Sequence, residues 1–201
     1  METIELVFLA GIIIFIASSI YFYIAGKNKN ILNSAFLVSF ITLISYVLMW
    51  QGDLTVIASS GESIFWTRWL FYGASCTLLM YEIAQLKNIK GQKLVELLYL
   101  TAIVMFTGFL AAVEVSQIRW VFFGISSVAY ILLISKVISL SIKESQWVNN
   151  YIIFGWSAFP IVFLLAPTGF GLIGTSLGEI LYLSLDIYTK IVFNIQLGRK
   201  S

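Results

Sequence analysis

Lys190 lies inside the apolar stretch 181–197 (LYLSLDIYTKIVFNIQL), and Asp186 precedes it by four residues, the spacing that puts both on one side of a helix. Charged groups in hydrocarbon are costly, roughly 2.5–3.5 kcal/mol each at a helix centre on insertion scales, so the pair asks for a reason. A desolvated lysine amine can condense with an aldehyde to give a Schiff base, and a carboxylate one turn away can hold the resulting iminium in its charged form. The competing reading is an intramembrane salt bridge that only fixes helix packing, and the two residues alone leave both readings open.

Two more ionisable residues, Arg68 and Glu82, fall on or at the edge of an earlier apolar stretch. With a rise of about 1.5 Å per residue they are roughly 21 Å apart along a helix, Arg68 near one membrane face and Glu82 toward the other. Phe71, Ser75 and Glu82 follow one another at intervals of four and seven, which sets them along one helical face. The helix of Lys190 runs in the same direction. Asp186 is therefore one turn from Lys190 on the side that Arg68 can reach, and the next carboxyl on the other side is Glu82. Bland alternatives exist for both outer members: Arg68 as an interfacial arginine that snorkels, and Glu82 as a solvated helix-end residue close to Lys87.

These residues need helices to carry them. The chain has 201 residues, of which 60% are hydrophobic and 11% charged, too apolar for a water-soluble globule and fitted to an integral membrane protein. A spanning helix takes about 20 apolar residues. The sequence divides into seven such stretches, 6–25, 32–50, 65–86, 94–113, 120–140, 151–172 and 174–197, which predicts an all-α seven-helix bundle forming a single domain over 1–201. The net charge of +2 is spread over joints and buried positions, so no nucleic-acid-binding patch is expected. With one cysteine, Cys76, and no histidine, an intrachain disulfide is excluded and metal catalysis is not expected. Glu2 and Glu5 stand where a signal peptide carries basic residues, so the first stretch reads as an uncleaved span.

Lysine and arginine collect in alternate joints: Lys27 and Lys29, then Lys87, Lys90 and Lys93, then Lys143, then Arg199 and Lys200. The opposite joints hold Asp53 and Glu62, Glu114 and Arg119, and Glu179. The positive-inside rule then puts the amino terminus outside and the carboxyl terminus in the cytoplasm of a cell-membrane protein. Small residues such as Gly108, Ser126, Ser127 and Ser157 suit close helix packing or a ligand equally. Pro160 and Pro167 are tolerated in or beside the sixth span and predict a kink there, and the glycine-rich 167–178 predicts the turn that follows. Glu96, just past Lys93, reads as interfacial.

Taken in order, these segments resemble the microbial rhodopsins over all seven spans. Asp186-Ile-Tyr-Thr-Lys190 is similar to that family's retinal-attachment helix, Trp156-Ser-Ala-Phe-Pro160 to its sixth helix, and Trp66-Thr-Arg68 to the start of its third. Phe71, Ser75 and Glu82 occupy the three third-helix positions that sort functions within the family, and an F, S, E triplet is similar to the schizorhodopsins of Asgard archaea, which are light-driven inward proton pumps. The resemblance implies all-trans retinal bound covalently to Lys190 as a protonated Schiff base, with Asp186 as counterion, Arg68 as its electrostatic partner and Glu82 assisting proton release. It makes Cys76 a tuning neighbour of the Schiff base. It further implies a pocket with Tyr72 and Trp156 above and below the polyene and Phe159, Phe163, Phe123 and Tyr188 along it, completed by Pro160 and Gly108, although aromatic residues could equally be plain core. A homotrimer in the lipid bilayer is implied as well.

Direction follows from which acceptors are present. The third-helix position facing the Schiff base is Phe71, which takes no proton, so outward transfer is disfavoured and Glu82 with the cytoplasm is the remaining sink. The expected function is a light-driven inward proton pump, a transporter rather than an enzyme. A helix without an acceptor also suits an anion pump, which Glu82 disfavours by standing on the anion's exit path, or a photosensory receptor, which stays open.

Overall fold

The computed structural model describes residues 2–27, 31–52, 54–58, 61–140 and 146–200, without the side chains of Ile31 and Lys200. Lys29, Asp53 and Lys143, three of the joint charges, lie outside the described residues, as does the side chain of Lys200. The elements are α1 (Thr3–Gly26), α2 (Ile31–Gln51), β1 (Val56–Ile57), β2 (Ser63–Ile64), α3 (Thr67–Leu86), α4 (Gln92–Val113), α5 (Arg119–Ser139) and α6 (Gln146–Leu165). The last rod has three parts: α7 (Thr175–Asp186), a π-helical stretch (Ile187–Val192) and α8 (Phe193–Lys200). We call it helix 7. The face where α1 begins is the amino face, and the opposite one is the carboxyl face.

Among the described residues, six helices are long and apolar enough to cross a membrane. The seventh, α3, is the polar one, and it earns its place by hiding what makes it polar: Thr67, Arg68, Ser75 and Glu82 are all buried. The outer surface shows the reverse chemistry, with Tyr99, Phe106, Ile131 and Phe154 facing outward. Charge inside and hydrocarbon outside is the arrangement that a bilayer selects.

Glu2 and Glu5 form a capping box at the start of α1, the Glu2 amide donating to Glu5 Oε2 at 3.3 Å. Between α2 and α3 the chain makes a short antiparallel hairpin, Val56 opposite Ile64, which apolar periodicity does not predict in so brief a segment. This hairpin brings Glu62 to the start of helix 7, where Oε2 accepts from the Thr175 amide at 2.5 Å and caps the helix.

The sixth span departs from expectation at both ends. It was predicted at 151–172, whereas α6 runs Gln146–Leu165, and the turn occupies only 166–174, leaving Thr175–Gly178 helical. The polar Asn149 explains the early start: it belongs to the helix because its Oδ1 accepts from Lys87 Nζ at 2.6 Å. The same amine donates to the Val137 carbonyl at 2.8 Å, tying the end of α3 to α5 and α6. The turn closes tightly at the other end, where Phe170 N donates to Leu164 O at 2.7 Å, and a Cβ on Gly169 would fall 2.5 Å from Leu164 Cα. Pro160 lies within α6.

At the amino-face half, Phe8 and Phe15 of α1 pack with Tyr46 and Met49 of α2. Tyr46 stacks on Phe15 with ring centroids 5.5 Å apart, and it fits because residue 11 has no side chain: a Cβ there would lie 2.6 Å from Tyr46 Cε1. Gly11→Ala should therefore displace the Tyr46 ring and cost about 1–3 kcal/mol by overpacking. Thermal denaturation in detergent checks this, and an unchanged midpoint would contradict it.

Candidate functional site

Lys190 and Asp186 meet in the interior, both essentially inaccessible to solvent, with Nζ 2.8 Å from Asp186 Oδ1. The other carboxylate oxygen accepts from the Tyr46 hydroxyl at 2.9 Å and from the Tyr72 hydroxyl at 3.1 Å, and Arg68 Nη1 stands 3.6 Å away. Charge-assisted bonds of this kind are stronger than neutral ones and hold the carboxylate in one orientation. Nζ also lies over the Tyr72 ring, 4.1 Å from its centroid.

An α-helical reading spaces Asp186 and Lys190 correctly but misses the local geometry, because the segment Ile187–Val192 is π-helical. The Phe193 amide donates to Tyr188 O, five residues back. Side chains serve the loosened backbone: the Tyr151 hydroxyl donates to Tyr188 O at 3.2 Å and Asn194 Nδ2 donates to Lys190 O at 2.9 Å. Single π-turns that interrupt α-helices occur frequently at functional sites. Tyr188, expected along the pocket, instead lies 40% exposed against Tyr151, and Thr189 lines the cavity in its place.

Arg68 is not an interfacial arginine, because it is buried. Its guanidinium pairs with Glu179 and lies over the Tyr182 ring at 4.7 Å. Glu179 was placed in an outer joint by its position near a span end, and the structure corrects this: it is a buried member of the site, four residues past Thr175 on the buried side of α7 that leads to Asp186. Its spacing of seven from Asp186, two helical turns on the same side, was the available signal. This cluster thus joins two basic residues, Arg68 and Lys190, with two acidic ones, Asp186 and Glu179.

Beside the charged cluster lies an apolar cavity of about 240 Å³. Tyr72, Cys76, Gly108, Phe123 and Trp156 line it, as do Phe159, Pro160 and Phe163. Tyr72 is common to both sites, with its hydroxyl on Asp186 and its ring in the cavity wall. Trp69, which the sequence reading did not single out, joins the walls: its ring meets Tyr72, Phe163 and Tyr182 at 5.7, 5.3 and 5.6 Å. Phe123 stacks on Phe163 at 5.1 Å. Ser126, Ser127 and Tyr130 also line the cavity, and Tyr130 reaches Ser157 across α5 and α6 at 2.9 Å. Phe71 is only half-buried and Ser75 is fully buried.

Glu82 lies on the buried side of α3 at 1% exposure, which removes the solvated helix-end reading, and it faces Ser34 of α2 and Asn194 of helix 7. Glu96, by contrast, pairs with Lys136 at a half-exposed position, as an interfacial residue should.

Residues 2–199 match the family described as bacteriorhodopsin-like protein. The chain belongs to that family. Among solved structures, this rhodopsin is similar to schizorhodopsin 4, with a TM-score of 0.94 and 36% identity, covering 98% of this chain and 100% of that one. Among curated proteins, it is 27% identical to bacteriorhodopsin of Halobacterium salinarum, over 90% of this chain and 77% of that protein. It is 24% identical to sensory rhodopsin-2 of Haloarcula vallismortis, over 77% of this chain and 70% of that protein. It is therefore a multi-pass microbial rhodopsin of schizorhodopsin-like type, in a family of light-driven transporters and photoreceptors rather than classical enzymes.

Family membership implies retinal held through a lysine. The residues present suit such a group: an elongated apolar aldehyde needs a ring-walled cavity next to an amine, and Tyr72 and Thr189 connect the cavity to Lys190. The electrostatic pairing can be tested separately from any pigment. Arg68→Gln leaves Glu179 buried without its cation and should cost about 3–5 kcal/mol, and adding Glu179→Gln should recover much of the loss. Detergent thermal denaturation reads both variants. Equal stability of Arg68→Gln and the parent would contradict a buried, interdependent pair.

Proposed function

We propose that this rhodopsin is a light-driven inward proton pump, carrying protons from the amino face outside the cell to the carboxyl face in the cytoplasm. The observation that carries the reading is the placing of carboxyl groups around Lys190. Its partner Asp186 comes from its own helix, the α3 turn that reaches Asp186 through Tyr72 presents Phe71 and Tyr72 rather than a carboxyl, and the α3 carboxyl, Glu82, lies buried in the carboxyl-face half. All-trans retinal, joined to Lys190 Nζ as a protonated Schiff base, would supply the light-driven isomerisation that redirects the nitrogen.

The roles of the protein groups follow from their contacts. Asp186 holds a positive charge at Nζ while Tyr46, Tyr72 and Arg68 fix its second oxygen, so the carboxylate acts as a standing counterion. Phe71 offers no acceptor toward the amino face. Glu82 assists delivery of the proton toward the carboxyl face. The cavity rings, with Trp156, Phe159, Phe163 and Phe123 foremost, confine the chromophore, and Cys76 tunes its surroundings. The basic joints support a cytoplasmic carboxyl face, with Lys27, Lys87, Lys90, Lys93 and Arg199 all falling there. The whole chain, 1–201, acts as one domain in the cell membrane. The family resemblance supports a homotrimer, which a native mass corresponding to one or two copies would contradict.

A second reading, a photosensory receptor without net transport, is favoured by the similarity to sensory rhodopsin-2. In that case the same change at Nζ would alter helix packing for a partner to read. Illumination of an unbuffered suspension of expressing cells separates the two. Inward pumping gives alkalinisation that a protonophore abolishes, acidification contradicts it, and no change supports the receptor.

Two substitutions test the roles. Lys190→Ala should abolish the visible band formed on adding retinal, and a surviving band would exclude Lys190 as the attachment site. Glu82→Gln should form pigment but transport protons several-fold more slowly in the same pH assay, and undiminished transport would reduce Glu82 to a bystander.

A further inference from the structure

Asn194 is fully buried four residues beyond Lys190, and nothing in the pump described above uses it. An amide side chain has two ends, a pair of N–H donors and a carbonyl acceptor. One of the two donors is committed: Nδ2 bonds to the backbone carbonyl of Lys190 at 2.9 Å, inside the π-helical stretch, which leaves its second hydrogen free to turn elsewhere. That carbonyl belongs to a turn whose i to i+5 bonding departs from the α-helix, so the side chain steadies the backbone of the very residue that carries the amine. Oδ1 is buried and has no hydrogen bond of normal geometry among the described residues, and the same holds for both oxygens of Glu82. Yet Glu82 and Asn194 face each other across the contact between α3 and helix 7. A buried polar atom without a partner costs roughly 1–3 kcal/mol, which makes an approach between these groups favourable.

We propose that Asn194 is a positioning residue that couples Glu82 to the lysine turn. Its amide nitrogen is anchored on the Lys190 carbonyl, and the rest of the amide is thereby presented to the Glu82 carboxyl. When Glu82 bears a proton, its O–H donates to Oδ1. When it does not, an Nδ2 hydrogen is the group available to it. The amide carries no proton across; it only sets which form of Glu82 is matched. A displacement of the Lys190 carbonyl then reaches Glu82 through a single side chain, with no need for α3 itself to move first. Ser34, the other group facing Glu82, flanks the contact from α2.

This rests on the role given to Glu82 above, but the contact can be read in the dark, whichever way protons travel. Solid-state NMR of the isotope-labelled, retinal-reconstituted protein should show a through-space cross-peak between the Glu82 carboxyl carbon, assigned by its loss in Glu82→Gln, and the Asn194 side-chain amide. Asn194→Leu, similar in size but without either polar end, should shift the Glu82 carboxyl resonance while a visible pigment band still forms. Absence of the cross-peak in the unsubstituted protein, or an unmoved carboxyl resonance in Asn194→Leu, would overturn the proposal. The cross-peak needs no variant, so a failure of Asn194→Leu to fold does not protect the idea. A protein that shows the contact but no light-driven pH change would keep this inference and lose the pump.

Discussion

The carboxylate of Asp186 is the point on which the interior is organised. It receives Lys190 from its own helix, Tyr46 from α2, and Tyr72 and Arg68 from α3. In a low-dielectric interior a lone charge is far more expensive than a matched one, so this convergence has to be complete before the helices can close around it. Arg68 extends the balance by taking Glu179 as its second anion. Pairing here is a condition of assembly as well as of chemistry: helices that brought only one sign of charge inward would not be stable in hydrocarbon.

The cluster and the cavity divide the site into unlike halves that share a wall. On one side the groups are acidic, basic or hydroxyl and paired with one another, and on the other the lining is mostly rings, small residues and a proline. Tyr72 serves both, because its hydroxyl and its ring face different neighbours. A change at this residue therefore cannot be confined to packing or to electrostatics. Gly108 shows the complementary logic: a Cβ there would make only ordinary contact with Ser126 Oγ at 3.5 Å, so it is the cavity rather than a tight helix crossing that benefits from its smallness.

The residues legible in the sequence were those whose chemistry is anomalous for a membrane span. Lys190, Asp186, Arg68 and Glu82 stand out against hydrocarbon, and the succession of mostly apolar stretches, α3 the most polar of them, places seven helices. Neutral partners gave no such signal. Tyr46 is one of ten tyrosines in an aromatic-rich chain, and nothing in its neighbours points across the bundle to Asp186. Trp69 was likewise hidden among common aromatics. Glu179 was misplaced because closeness to a span end was given more weight than its spacing from Asp186. The π-turn was invisible for a different reason: a helix with i to i+5 bonds has no residue pattern of its own, and it persists here with help from side chains such as Tyr151 and Asn194. Tyr188, placed along the pocket by the family resemblance, packs against Tyr151 instead.

The polar ties that join distant parts of the chain are spread along the bundle axis. Glu62 clasps Thr175 at the amino face, Arg68 and Tyr72 hold Glu179 and Asp186 farther in, and Lys87 grips Asn149 and Val137 at the carboxyl face. Because bonds at every level oppose sliding, they fix axial register as the pegs of a rack do. Piston-like displacement of α6 or helix 7 against α3 would break contacts at one level or another, whereas a tilt pivoting near the middle opens one end and spares the rest. On these contacts alone, a disturbance at Lys190 breaks fewer bonds by leaning than by sliding.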